Sequence, residues 1–196
     1  MRKRVTLSEP GDLTGFPASR PPARLHRICR KANRTWWYSC DGSGRFDLTA
    51  PSGTCYFATD AYAAIREASR LGPVTPKRMR DREVRQVKPP NPRARLAATT
   101  RKAAGKYGVA TELATIIPYD LPLRWAQAFR AAGFDGIRHE LRHDQRARPA
   151  GVSLFGPAGR SRDPDGQRRS LTPEIVRSAG VAIHEPPHSD AVIVLP

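Results

Sequence analysis

Proline and glycine cut this chain into short pieces, and that limits what it can fold into. The 19 prolines and 15 glycines are spread along the 196 residues, so the apolar segments between them have the length of strands or short helices. No apolar run approaches the roughly 20 residues that span a bilayer. The basic start, MRKRVTLSEPGD, has no apolar stretch behind it and does not read as a secretory signal. A chain of this length holds one domain with a core. Short strands, a few helices and long loops make that domain α+β. Cys29, Cys40 and Cys55 form no C-x-x-C and read as reduced thiols of a cytoplasmic protein.

Residues 1–23 are rich in proline and glycine and read as an extended arm. ARLHRIC and GTCYFA read as strands, with the aromatic TWWYSC and a glycine turn, GSGRFD, between them. Asp60 is a helix N-cap. Ala61, Ala64, Ile65, Ala68 and Leu71 follow it on one helical stripe, which Gly72 and Pro73 stop. REVRQV is a strand, and Asn91-Pro92 opens a helix ending near Gly105. GVATELATIIP reads as extended. A helix with Pro122 in its first turn carries Trp125, Ala128, Phe129 and Ala132 and closes at Gly133. FDGIRHEL and GVSLFG are strands, residues 157–170 a mobile loop, Thr172-Pro173 a short helix start and AVIVLP a final strand.

The formal net charge is +16, from 34 Lys and Arg against 18 Asp and Glu. Such a surface attracts anions, nucleic acid among them. The basic stretch 77–106 (Lys77, Arg78, Arg80, Arg82, Arg93, Arg95, Arg101, Lys102) is the candidate nucleic-acid surface, although it carries no helix-turn-helix or zinc-finger pattern. The excess of Arg over Lys would also follow from a GC-rich coding sequence.

His139-Glu140-Leu141-Arg142-His143 matches H-E-x-x-H, which on a helix puts two imidazoles and a carboxylate around a zinc ion. Gly133 and Gly136 lie just upstream and fit a helix end and a turn into a strand. In a straight strand His139 and His143 would stand about 13 Å apart. Glu174, His184 and His188 sit at no ligand spacing, so no metal site is assigned, and zinc hydrolysis remains a remote alternative.

Several separated pieces, in chain order, point elsewhere: RLHRI with Arg27, GSGRFD with Arg45, GTCYFATD with Tyr56, AIREA with Glu67, then TELAT, WAQAFRAAGFDGIRHELRHD and VSLFG. Together, over about residues 24–156, they resemble the RES-domain family, named for Arg, Glu and Ser. The resemblance implies a toxin of a bacterial toxin–antitoxin pair, neutralised by an Xre-type antitoxin. It implies an ADP-ribosyltransferase-like fold, a split, curved mixed sheet with flanking helices, over a single domain at 24–196. It also implies NAD⁺ as substrate, degraded by hydrolysis or phosphorolysis at the nicotinamide–ribose bond or used to ADP-ribosylate a protein, with no further cofactor. Arg27 matches the family's first-strand arginine, Tyr56 its strand tyrosine, Glu67 its helix glutamate and Arg45 the arginine of its glycine turn. The family serine falls on Leu141, which cannot donate a hydrogen bond. Either catalysis is weakened or the role has moved to His139, Arg142 or Ser153.

The chemistry suits these side chains. Breaking the nicotinamide–ribose bond builds positive charge on the sugar, and a carboxylate such as Glu67 stabilises it. Arg27 and Arg45 present guanidinium forks for phosphate oxygens. Tyr56 offers a ring and a hydroxyl to nicotinamide, and Phe46, Trp36 and Trp37 offer cleft walls. The bland alternatives are a solvated helix glutamate, surface arginines and aromatic core packing.

Overall fold

Among the described residues, ten short strands and four helices alternate irregularly. In order they are β1 (Ala18–Ser19), β2 (Leu25–Arg30), β3 (Trp37–Tyr38), β4 (Ser52–Ala58), α1 (Ala61–Ser69), α2 (Pro76–Arg80), β5 (Arg82–Val87), β6 (Leu96–Ala98), α3 (Asp120–Ala131), β7 (Gly136–His139), β8 (Gly151–Pro157), β9 (Gly159–Arg160), β10 (Gln167–Ser170) and α4 (Pro173–Ser178). Two 3₁₀ helices, Lys102–Tyr107 and Thr111–Ala114, precede α3. This is a computed structural model, and it describes residues 6–70, 72–144 and 149–184. The expected AVIVLP strand and His188 lie outside the described residues.

Eight strands form one mixed sheet in the order β1-β6-β7-β8-β4-β2-β5-β10, and β3 pairs with β9 in a separate two-stranded ribbon. Only β6 and β7 run parallel. The α+β expectation holds: a large mixed sheet with flanking helices.

Strand register decides which side chains share a face, because opposite residues in a pair point the same way and neighbours along a strand alternate. His26 pairs with Ala58, Tyr56 with Ser153 and Ile137 also with Ser153. His26, Ile28, Tyr56, Ala58, Ser153, Ile137 and His139 therefore share one face. Helices α1 and α3 cover that face. Ala63 and Ala64 of α1 pack on Ala58, Ile28 and Leu141, while Trp125, Ala126 and Phe129 of α3 pack with Ile137, Phe155 and Phe46. The other face carries Leu25, Cys55, Phe57, Val152 and Leu154 beneath Trp36 and Tyr38.

Local sequence accounts for much of this. Asp60 caps α1 by accepting the Ala63 amide at 2.9 Å, a bond worth about 1 kcal/mol. A nine-residue helix is below the roughly 12–15 residues that hold alone in water, so α1 depends on its alanine and isoleucine face against the sheet. Pro122 sits in the first turn of α3 and Gly133 follows its end, as the sequence predicts.

Three expectations fail. The helix read from Asn91-Pro92 to Gly105 is instead a turn, strand β6 and a 3₁₀ helix, because Leu96, Ala97 and Ala98 are buried in a parallel pair with β7. GVATELATIIP is not extended throughout but folds into the second 3₁₀ helix at Thr111–Ala114. Residues 157–170, expected as a loop, carry β9 and β10 and are tied to the sheet: Asp165 accepts the Thr35 amide at 2.7 Å and Pro164 the Trp36 indole N–H at 2.8 Å. The N-terminal arm contributes to the core, where Leu13 and Phe16 pack with the α3 residues.

Candidate functional site

A gap lies beside α1 on this face, over β4 and β7, bounded by the Ser43–Phe46 turn and the segment that leads into α3. Two connected cavities occupy it. The larger, about 520 Å³, is lined by Gly44, Arg45, Tyr56, Glu67, Arg70, Tyr119, His139, Arg142 and His143, with Ile117 at its edge. The smaller, about 240 Å³, is lined by His26, Ile28, Tyr56, Ala58, Ala64, Glu67, His139 and Leu141, with Arg27 bordering it. Tyr56, Glu67 and His139 belong to both.

Glu67 comes from the last turn of α1. Burial raises its carboxyl above the usual glutamate value, against the opposing pull of the His143 amide and the Arg45 and Arg142 charges. Its Oε1 accepts the His143 backbone N–H. The arginines make the surrounding cavity attractive to anions.

Arg45 is positioned by the turn before it. Asp47 is buried and accepts from the Gly44 amide at 3.0 Å, the Ser39 hydroxyl at 2.8 Å and the Tyr56 hydroxyl at 2.6 Å. A side chain at Gly44 would collide with Asp47 and Tyr56, so only glycine lets the turn close this tightly. Nη1 of Arg45 then donates to the Ile116 carbonyl at 2.6 Å, and its guanidinium lies 4.5 Å over the Tyr119 ring. Its Nη2 is buried without a partner.

His139 stands where the cavities meet. Burial, with a smaller push from Arg45, brings its pKa down to about 4, so the ring is neutral near pH 7. Its Nδ1 contacts the Glu140 carbonyl at 2.8 Å and its Nε2 the Ser153 hydroxyl at 3.0 Å. A carbonyl can only accept, so Nδ1 carries the proton and Ser153 donates to Nε2. The ring rests against Gly151, where a Cβ would overlap it, and lies 4.8 Å from the Phe46 ring.

The structure brings Glu67, Tyr56 and Arg45 to one gap, but it changes the roles read from sequence. The Arg27 guanidinium turns to the opposite face, because residue 27 alternates with His26 and Ile28. Its Nη1 donates to the Thr35 carbonyl at 2.7 Å and to Cys55 Sγ at 2.8 Å. The Tyr56 hydroxyl is committed to Asp47 and to the Phe46 amide, so Tyr56 gives the cavities a ring wall and no free hydroxyl. Phe46 is buried in the core against the His139 ring and also borders the larger cavity. Trp36 packs under the other face and Trp37 is exposed on the β3–β9 ribbon, so neither walls this gap.

HELRH begins at the end of a strand and continues without helix, so the helical placement of two imidazoles on one side is absent. Among the described residues, no three His, Cys, Asp or Glu side chains are grouped to hold a metal, and no helix is long and apolar enough to cross a membrane. The basic residues of 77–106 are scattered over α2, β5, the first 3₁₀ helix and the loops. Several are used internally: Arg78 on the Ala68 carbonyl, Lys77 on Asp81 and Arg95 over the Phe134 ring. Sequence reading passed over His26, Asp47 and Arg70. For His26 the one available signal was strand alternation in RLHRI.

Leu141, at the position expected to hold serine, packs against Ala58, Ala63 and Ala64 and closes the smaller cavity with an apolar wall. Leu141→Ser should lower stability by about 1 kcal/mol through lost apolar burial. A urea titration checks this, and an unchanged midpoint would mean that the packing contributes nothing.

A family model described as the RES domain matches residues 24–174, a span that includes the segment 157–170. No curated protein matches. Among solved structures, a chain of the crystal structure of the M. tuberculosis MbcT–MbcA toxin–antitoxin complex is similar, with a TM-score of 0.61 at 14% identity over 85% of this chain and 93% of that one. At that identity the likeness is one of fold.

Proposed function

Because the chain belongs to the RES-domain family, we propose that it is a toxin enzyme of a toxin–antitoxin pair that consumes NAD⁺ by breaking the nicotinamide–ribose bond. The observation that carries this reading is Glu67, a half-buried carboxylate at the junction of two cavities with Arg45, Arg70 and Arg142 around the larger one. In this reading Glu67 stabilises the positive charge that develops on the ribose. Arg45, fixed by the Gly44–Asp47 turn, takes a phosphate oxygen through its unpartnered Nη2. Tyr56 walls the sugar and base. Arg27 acts as a positioning residue, tying β2 to Thr35 and Cys55 from behind. Water or inorganic phosphate accepts the ribosyl group, and the arginine rim favours phosphate. The cognate inhibitor is an antitoxin protein, a reading that the toxin–antitoxin origin of the similar fold supports, and its Xre type is what the family resemblance implies.

Incubation of the purified protein with NAD⁺, with and without phosphate, should release nicotinamide. No release under either condition, together with normal growth on expression, would sink the proposal. If radiolabel from the adenylate half of NAD⁺ instead accumulated on one protein band, the same site would be an ADP-ribosyltransferase.

The reaction needs Glu67 ionised, and its carboxyl titrates above the usual 4.5. Turnover should therefore fall on the acid side at a pH higher than an ordinary glutamate would give. A pH profile of kcat whose acid limb lay at or below the ordinary value would assign the limb to another group.

A further inference from the structure

Among the described residues, four buried side-chain polar atoms make no hydrogen bond, and two of them belong to residues that line the gap: Nη2 of Arg45 at the larger cavity and Nδ1 of His26 at the smaller. Buried polar groups are almost always satisfied, so an orphan on a side chain that lines a cavity points to what fills it. The proposed reaction gives Arg45 a phosphate but leaves His26 unused. Its register opposite Ala58 turns its side chain to the same face as Tyr56 and His139, while Arg27 turns away. His26 is thus the polar side chain that β2 contributes to the cavity.

The rest of the smaller cavity is mostly aliphatic or aromatic, from Ile28, Tyr56, Ala58, Ala64 and Leu141, with Glu67 and the hydrogen-bonded His139 as further polar side chains. At about 240 Å³ it has room for one heteroaromatic ring and not for a dinucleotide. Burial holds His26 below the usual histidine range, only partly offset by Asp60 and reinforced by Arg24, so the imidazole is neutral near pH 7. A neutral imidazole presents either an N–H or a lone pair at Nδ1. A carboxamide carries both an acceptor and a donor and can satisfy either tautomer.

We propose that His26 is a specificity-determining residue that binds the carboxamide of nicotinamide through Nδ1 in the smaller cavity. The proposal rests on the NAD⁺ reading and deepens it. Nicotinamide lies between β2, β4 and α1, the ribose beside Glu67, and the pyrophosphate toward Arg45 in the larger cavity.

Two measurements on the full chain test it. The first needs no turnover: the ¹⁵N resonance of His26 Nδ1, assigned by its loss in His26→Asn, is followed during titration with nicotinamide and, as a control without the carboxamide, with pyridine. A saturable shift with nicotinamide and none with pyridine is expected. In the second, His26→Leu should raise the KM for NAD⁺ about tenfold with little change in kcat, as expected for a lost neutral hydrogen bond. His26→Asn, which returns a polar atom near the Nδ1 position, should recover most of that loss.

An unshifted Nδ1, or turnover by the leucine variant with an unchanged KM, overturns the assignment of His26 while leaving NAD⁺ cleavage standing. A wild type that shifts with nicotinamide yet releases none from NAD⁺ keeps the carboxamide site and removes the reaction. If the leucine variant does not fold, the titration of the parent protein decides alone.

Discussion

Glu67→Gln should cut nicotinamide release from NAD⁺ by about 10²–10⁴-fold, the usual range for removing a carboxylate that acts on a developing charge, and should leave the fold intact. The second half of that expectation follows from the same observation as the first. Burial raises the Glu67 carboxyl above its usual value, which means that folding disfavours its charged form relative to its neutral one. A neutral amide of the same shape avoids that penalty and keeps an oxygen to accept the His143 N–H. The thermal midpoint of Glu67→Gln should therefore match or exceed that of the parent. Low activity with an unchanged or higher midpoint is the signature of a group kept for chemistry at the expense of stability. A glutamine variant that turned over NAD⁺ like the parent would remove Glu67 from the mechanism, as would one that stayed as toxic on expression.

The legible parts of this molecule were the local ones. Asp60 and the Ala61–Ala64–Ile65–Ala68 stripe announce α1, and the cap and packing confirm the physical reason. Pro122 and Gly133 bracket α3 in the same way. What stayed hidden depends on partners far away in sequence. Leu96-Ala97-Ala98 has nothing strand-like on its own, and alanine favours helix. It becomes a strand because β7, some forty residues on, offers it a parallel edge. Arg27 and Tyr56 were both placed at the site from their strands, but a one-residue difference in facing separates them. That facing is fixed by the pairing of His26 with Ala58, which no local pattern specifies. The commitment of the Tyr56 hydroxyl is hidden in the same way, because its acceptor, Asp47, lies on a turn whose closeness only the fold creates. HELRH inverts the lesson. Its spelling suggests a helix, and Gly133 and Gly136 argue for the strand that is observed.

Arg85→Met should destabilise the protein by about 3–5 kcal/mol, because it strands carboxylates that were buried as partners of a charge. Arg85 is fully buried on the face opposite the cavities. Its Nε donates to Glu83 at 2.7 Å, Nη1 to Asp165 at 3.2 Å and to the Thr35 hydroxyl at 3.1 Å, and Nη2 to the Lys31 carbonyl at 3.3 Å. Asp165 keeps Arg34 at 3.1 Å when Arg85 is lost. Among the described residues, Glu83 keeps the half-exposed Arg168 at 3.7 Å as its one remaining ion pair, so most of the cost falls on Glu83. The double variant Glu83→Leu/Arg85→Met removes both buried charges and should recover a large part of the loss, since an apolar pair of similar volume commonly replaces a buried ion pair without penalty. Urea midpoints of the parent, the single and the double variant measure this. A double variant as unstable as the single would mean that the Thr35 and Lys31 bonds, and not the stranded carboxylate, dominate. Since the network ties residues 157–170 and Thr35 to the back of the sheet, it is separate from the cavities beside α1. Below its unfolding transition, Arg85→Met should bind NAD⁺ with the parent's KM. A KM that rose with the loss of Arg85 would show that the route through Thr35 and Arg27 to β2 carries strain to the site.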